Sequence, residues 1–194
     1  MFQIVIFILI VLLASAAYAA TQGAPWVPTW KKDLERIARL ADLKAGERFV
    51  ELGAGNARVC RYISRVVPGA RVEGVELSVL QWAIGWLQNR LSGSRARMRL
   101  GNAFGYNLSD ADVVYMFLMP QTYAKIRPKL EAQLIPGSRV VTYAWPIEGW
   151  EPEMVDEVEG SQKIYLYVRQ KEEPRAKSSR ATSDSLGDSS SHGA

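Results

Sequence analysis

The run Arg48-Phe49-Val50-Glu51-Leu52-Gly53-Ala54-Gly55-Asn56-Ala57 joins a short, largely apolar segment to a turn built on two glycines. Phe49, Val50 and Leu52 suit an extended strand, and Gly53 and Gly55 permit positive φ and close approach of a ligand to the backbone. Directly afterwards Val59, Tyr62, Ile63 and Val66 fall on one helical face, until Pro68-Gly69 stops the helix. Strand, glycine turn and helix make the opening unit of an open α/β sheet. In such sheets ligands bind beyond the carboxyl ends of the strands.

The pattern extends outward on both sides. Upstream, Leu34, Ile37, Leu40 and Ala41 stand at helical spacing among charges, and Ala45-Gly46 breaks the helix. Downstream, residues 71–76 read as a second strand, and Ser78 suits the N-cap of a helix carrying Leu80, Trp82, Ile84, Trp86 and Leu87. Further strands are predicted at 96–100, 111–118 and 138–144, with a helix over 121–134. Two last strands follow near 154–158 and 163–169 without a helix between them. The order predicts an α/β fold, a Rossmann-like seven-stranded, mostly parallel sheet with a C-terminal β-hairpin.

Glu76 closes the second strand, 21 residues after Gly55, where an acid can accept both hydroxyls of an adenosine ribose. A dinucleotide site wants a third glycine, but Arg58 holds that place, and the Glu51 carboxylate would repel a pyrophosphate. An acid there suits a cofactor with a cationic amino-acid end. S-adenosylmethionine has an ammonium group, a sulfonium and no phosphate.

On these residues the chain resembles the class I S-adenosylmethionine-dependent methyltransferases. Glu51-x-Gly53-x-Gly55-x-Ala57 is similar to their first motif, with Ala for the last glycine, and Glu76 in Gly74-Val75-Glu76-Leu77 matches the ribose-binding acid. Gly101-Asn102-Ala103-Phe104 resembles the adenine motif, with Asn for Asp. The resemblance implies a cofactor site of Glu51, Gly53, Ala54, Gly55, Asn56, Glu76, Leu77, Asn102 and Ala103, with the Asn102 carbonyl accepting from the adenine amine. More narrowly, Val27-Pro28-Thr29, Phe117-Leu118-Met119-Pro120 and the segment from Pro146 to Trp150 resemble the small membrane-anchored protein-lysine methyltransferases that act on the ATP-synthase c-ring protein and the ADP/ATP carrier, and their bacterial relatives. That likeness implies a lysine amine of a membrane-associated protein as acceptor. A lipid or quinone O-methyltransferase, or a silent module that only binds the cofactor, are the alternatives.

The ends of the 194-residue chain differ from its middle. Residues 1–20 carry no charge and are long enough as a helix to cross a hydrocarbon core, while residues 171–194 hold no aromatic residue and balanced charges. The expected organisation is a transmembrane anchor over 1–20, a methyltransferase domain over 21–170 and a disordered polar tail over 171–194. Ala17-Tyr18-Ala19 also has the form of a signal-peptidase site. Lys31, Lys32, Arg36 and Arg39 follow the apolar segment, so the positive-inside bias places the domain at the cytoplasmic face.

Composition removes other chemistries. One cysteine, Cys60, and one histidine, His192 in the tail, allow neither a multi-thiolate metal site nor a Ser-His or Cys-His mechanism, so no metal is expected. The net charge of +4 is unevenly spread: Arg58, Arg61, Arg65 and Arg71 form one acid-free block, Arg90, Arg95, Arg97 and Arg99 another, and acids fill 148–159. The Asn/Asp-Pro-Pro-Tyr/Phe signature of base-amine methyltransferases is absent after the fourth strand, so no nucleic acid is expected as partner. Methyl transfer needs chiefly positioning and exclusion of water, and no dedicated catalytic residue is legible. Trp30, Tyr115, Tyr143, Trp145 and Trp150 are candidates for an aromatic wall around a cationic acceptor, with Glu148 attracting it.

Overall fold

In the computed structural model, residues 1–22 and 27–170 are described; the expected polar tail at 171–194 lies outside them. Strand β1 (Arg48–Leu52) is buried at every position, because it lies inside a sheet covered on both faces. It pairs in parallel with β2 (Arg71–Glu76) on one side and β4 (Val113–Met116) on the other. Strand β3 (Arg97–Leu100) extends the sheet from β2, and β5 (Arg139–Tyr143) extends it from β4. The chain then reverses: β7 (Ile164–Val168) runs antiparallel to β5, and β6 (Met154–Asp156) pairs antiparallel with β7 at the edge. The seven-stranded order β3-β2-β1-β4-β5-β7-β6 is the mostly parallel sheet with a terminal hairpin that the sequence predicts.

Helices α2 (Leu34–Ala41) and α3 (Arg58–Val66) bury Ile37, Leu40, Val59 and Ile63 against Phe49, Val72 and Tyr115 on one face. Helix α4 (Val79–Leu91), between β2 and β3, covers the same side. Helix α5 (Pro120–Gln133) closes the other face with Tyr123, Ile126 and Leu130 over Val50, Leu52, Val114 and Val140. Each core of this kind gains roughly 25 cal/mol for every Å² of apolar surface removed from water. Residues 101–112, between β3 and β4, form no helix, so beyond α5 the second face is covered only by this connection, whose Leu108, Phe104 and Tyr106 join the core that holds Val75.

The sheet order switches between β1 and β4, and the loops leaving their carboxyl ends diverge there. Helix α1 (Phe2–Gln22) precedes the domain, and Phe2–Ala19 is long and apolar enough to cross a membrane by length and composition. Its Ser15 hydroxyl accepts from the Val79 N–H at 3.0 Å, at the start of α4.

Candidate cofactor and acceptor site

The turn after β1 is shaped by backbone hydrogen bonds. Gly53 and Gly55 both have positive φ, 76° and 52°, and the N–H groups of Gly53 and Ala54 both donate to the Val75 carbonyl at 2.9 Å. The next N–H, of Gly55, donates to Glu76 Oε2 at 2.7 Å, while the Ser78 N–H donates to Glu76 Oε1 at 2.7 Å. Each oxygen of the buried Glu76 carboxylate therefore holds one backbone donor and keeps lone-pair capacity for another. The Gly101 N–H donates to the Glu76 carbonyl at 2.9 Å, which brings Asn102 and Ala103 to the same end of the sheet. Gly85 lets α4 lie directly against the turn, since a Cβ there would sit 3.1 Å from the Gly55 carbonyl oxygen.

Ala57, where the family pattern wants a third glycine, is fully buried and adopts the left-handed conformation at φ 57° as it leads into α3. An L residue with a Cβ is strained there by roughly 1–2 kcal/mol.

Glu51 is buried beneath the turn, and its Oε2 accepts from the Cys60 N–H at 3.0 Å in the first turn of α3. Burial pushes its carboxyl up from 4.5 to about 7, against the lowering effect of Cys60, with the Glu76 charge adding to the rise. Glu51 borders a narrow crevice of about 20 Å³, whose walls include Gly53, Asn56, Phe117 and the segment Val27–Thr29. That segment is held across the turn by Arg58 Nη1, which donates to the Thr29 carbonyl at 2.6 Å, and by Thr29 Oγ1 at 2.9 Å from the Tyr115 hydroxyl.

Glu51, Gly53, Ala54, Gly55, Asn56 and Glu76 thus converge on one turn, with Leu77 half-buried beside it and Asn102 and Ala103 at the end of the neighbouring strand. Asn102 is exposed, and its Oδ1 accepts from the Phe104 N–H at 2.9 Å, so one of its two lone pairs is held by a local turn.

The expected aromatic wall is only partly present. Tyr115 and Tyr143 are buried core residues; the Tyr143 hydroxyl donates to Asp33 Oδ2 at 2.6 Å, tying the segment before α2 to the sheet. Both strands bearing them are covered on both faces, so neither ring reaches the opening. Trp150 packs edge-on against Tyr167 and donates to Glu131 Oε1 at 2.9 Å. Trp30 and Trp145 remain exposed; Trp30 carries the Lys32 ammonium 4.6 Å above its ring, and Ala144, with φ 73°, turns the chain so that Trp145 leaves the sheet. Among the described residues no group of acids, histidine or cysteine is arranged to hold a metal.

A mostly parallel sheet with this strand order, a backbone-pinned acid at the end of β2 and a glycine turn over a buried acid define an S-adenosylmethionine-dependent methyltransferase. Residues 51–154 match the ANTKMT methyltransferase domain, and the chain belongs to that family. It is 32% identical over 149 residues to a protein-lysine N-methyltransferase of Saccharolobus islandicus, a match covering 74% of this chain and 92% of that protein. It is 28% identical over 150 residues to the adenine nucleotide translocase lysine N-methyltransferase of Mus musculus, a match covering 74% of this chain and 62% of that protein. Among solved structures, an RNA methyltransferase from Salinibacter ruber in complex with S-adenosyl-L-homocysteine superposes with a TM-score of 0.72 and 30% identity, covering 77% of this chain and 98% of that one.

Proposed function

We propose that this S-adenosylmethionine-dependent methyltransferase methylates a lysine amine of a membrane-associated protein, with residues 1–20 anchoring a catalytic domain of residues 21–170 at the cytoplasmic face of the bilayer. The observation that carries the acceptor is the likeness to a protein-lysine N-methyltransferase across nearly the whole of that protein. Helix α1 and the basic residues that follow it support the location.

The cofactor supplies an electrophilic methyl group on a sulfonium; the chain binds, orients and excludes water. Glu76, held by Gly55 and Ser78, offers its free lone pairs to the ribose hydroxyls. Glu51 faces the ammonium of the amino-acid end. The Gly53–Asn56 turn provides close backbone approach, Leu77 and Ala103 line the adenine, and Asn102 accepts from its amine through the second lone pair of Oδ1. An incoming lysine must shed a proton from an ordinary pKa of about 10.4. Exposed Glu148 attracts the ammonium, and the faces of Trp30 and Trp145 hold it as a cation, while a partly apolar mouth lowers its pKa. Strand β4 is followed by Phe117-Leu118-Met119-Pro120, with Leu118 packed over Gly53, where base-amine methyltransferases place polar groups.

The test is incubation of membranes with labelled S-adenosylmethionine and the full-length enzyme. Label is expected in protein, at lysine after hydrolysis. Label in organic-extractable lipid or in RNA would overturn the acceptor assignment.

A further inference from the structure

A second concave surface lies at the other end of β2 and β3. Residues 101–112 form no helix and cover only part of this face, with Phe104, Tyr106 and Leu108 packed in the core around Val75, and toward the amino ends of β2 and β3 the remaining positions carry charge. The result is an open groove of about 670 Å³ lined by Arg48, Arg71, Arg95, Arg97, Arg99 and Tyr106, with Glu73 and Asp110. Its floor is neutralised: Arg48 lies 2.8 Å from Glu73, Arg99 lies 3.2 Å from it, and Asp110 also meets Arg48. Its rim is not. Arg71 reaches only Asp110, at 3.8 Å, and Arg95 and Arg97 form no ion pair among the described residues.

The same edge exposes apolar side chains. Leu91 is 78% exposed, and Trp86 and Leu87 49% each. Leu91 ends α4 only four residues before Arg95, so the apolar and basic groups share one border of the domain. Helix α1, apolar along its length, touches the start of the same α4.

We propose that this edge rests on an anionic phospholipid surface, the groove taking phosphate headgroups while Trp86, Leu87 and Leu91 enter the interface. Guanidinium groups match phosphate oxygens in bidentate geometry, and tryptophan favours the boundary between headgroup and acyl chain. A nucleic acid would use the arginines but leave the exposed leucines without a partner; a bilayer accounts for both. The inference rests on the membrane location proposed above.

The experiment places the full-length protein in vesicles of phosphatidylcholine alone and of phosphatidylcholine mixed equally with phosphatidylglycerol, and follows amide exchange. Peptides covering 86–100 are expected to exchange at least about fivefold more slowly with the anionic vesicles than with the neutral ones. Arg95→Glu combined with Arg97→Glu should abolish that difference while S-adenosylhomocysteine affinity is kept. Flotation with vesicles but equal exchange in both lipids would overturn the inference and leave the anchor intact. Failure to float with either vesicle would remove the membrane location and the inference together. Protection of 86–100 by polyuridylate without vesicles, and none by anionic lipid, would assign the groove to nucleic acid.

Discussion

Strand β2 carries two carboxylates that are three residues apart, on opposite faces of the sheet, and in opposite circumstances. Glu76 is held by the N–H groups of Gly55 and Ser78, each at 2.7 Å. Glu73 is held by side chains: Arg48 Nη2 donates to it at 2.8 Å, the Tyr106 hydroxyl at 2.8 Å and Arg99 Nη2 at 3.2 Å. Backbone donors take one lone pair on each Glu76 oxygen and leave the other, which suits the ligand contact proposed for it. Two guanidinium groups and a phenol surround Glu73, which becomes a strut. The same residue type serves as site or as scaffold according to whether its partners come from main chain or side chain.

Removing the strut is expected to have the largest effect. Glu73→Ala leaves the mostly buried Arg48 guanidinium with the exposed Asp110 as its one carboxylate partner among the described residues, beside the Asn107 carbonyl and the Tyr106 hydroxyl, and unfolding in urea should show a loss of about 3 kcal/mol, the low end for breaking a buried pair. Burial alone raises the Glu73 carboxyl, but the hydrogen bonds from Arg48, Tyr106 and Arg99 outweigh it and hold the group at about 2. Its contribution is therefore present above the ordinary 4.5 and lost as pH falls toward 2, and Glu73→Gln should flatten that acid limb of the stability curve.

Glu51 has the opposite sign. With its carboxyl raised to about 7, the folded state holds a proton that the unfolded state releases above 4.5, so this group's stabilisation is full below 4.5 and lost as pH rises through 7. An ammonium ligand selects the ionised form. S-adenosylhomocysteine should bind roughly tenfold more weakly at pH 6 than at pH 7.5, following the ionised fraction, and Glu51→Gln should remove that dependence. An unchanged pH profile in the glutamine variant would show that Glu51 does not face the amino-acid end.

The smallest effect is expected at Ala57. Glycine relieves the left-handed strain but adds freedom to the unfolded chain, so Ala57→Gly should raise stability by about 1 kcal/mol or less by thermal melting, with the cofactor site preserved. Destabilisation would mean that the buried methyl contributes more through packing than the strain costs.

Much of this was legible in the sequence because it depends on local chemistry. The glycine turn, the acid 21 residues on and the alternation of strands and helices are written in residue type and spacing, and the mostly parallel sheet with its terminal hairpin followed from them, whereas the strand order is read from the structure. The aromatic wall failed for a physical reason. Tyr115 and Tyr143 sit on strands covered from both sides, and in such strands an aromatic residue has no exposed face to choose. Long-range clasps were equally invisible: Arg58 to the Thr29 carbonyl joins residues 29 apart, and no pattern in either segment announces the other. Phe117, in the crevice wall beside Gly53, stood in sequence within the Phe117–Pro120 segment that carries the narrower resemblance, with nothing in its spacing to mark it as a wall of the site. The arginine groove lay in plain view as a charge block, but its concavity comes from a helix that the β3–β4 connection lacks.

We propose that Glu76, and not Glu73 on the same strand, receives the cofactor. Calorimetric titration of S-adenosylhomocysteine into the wild type, Glu76→Ala and Glu73→Ala, at a temperature where each is folded by circular dichroism, tests it directly. Loss of hydrogen bonds to a charged acceptor, about 1.5–3 kcal/mol, predicts a Kd raised roughly ten- to a hundredfold in Glu76→Ala. In Glu73→Ala the Kd should stay within about twofold of wild type. Equal weakening in the two variants, or undiminished affinity in Glu76→Ala, would contradict the assignment of the ribose acid and with it the placement of the site.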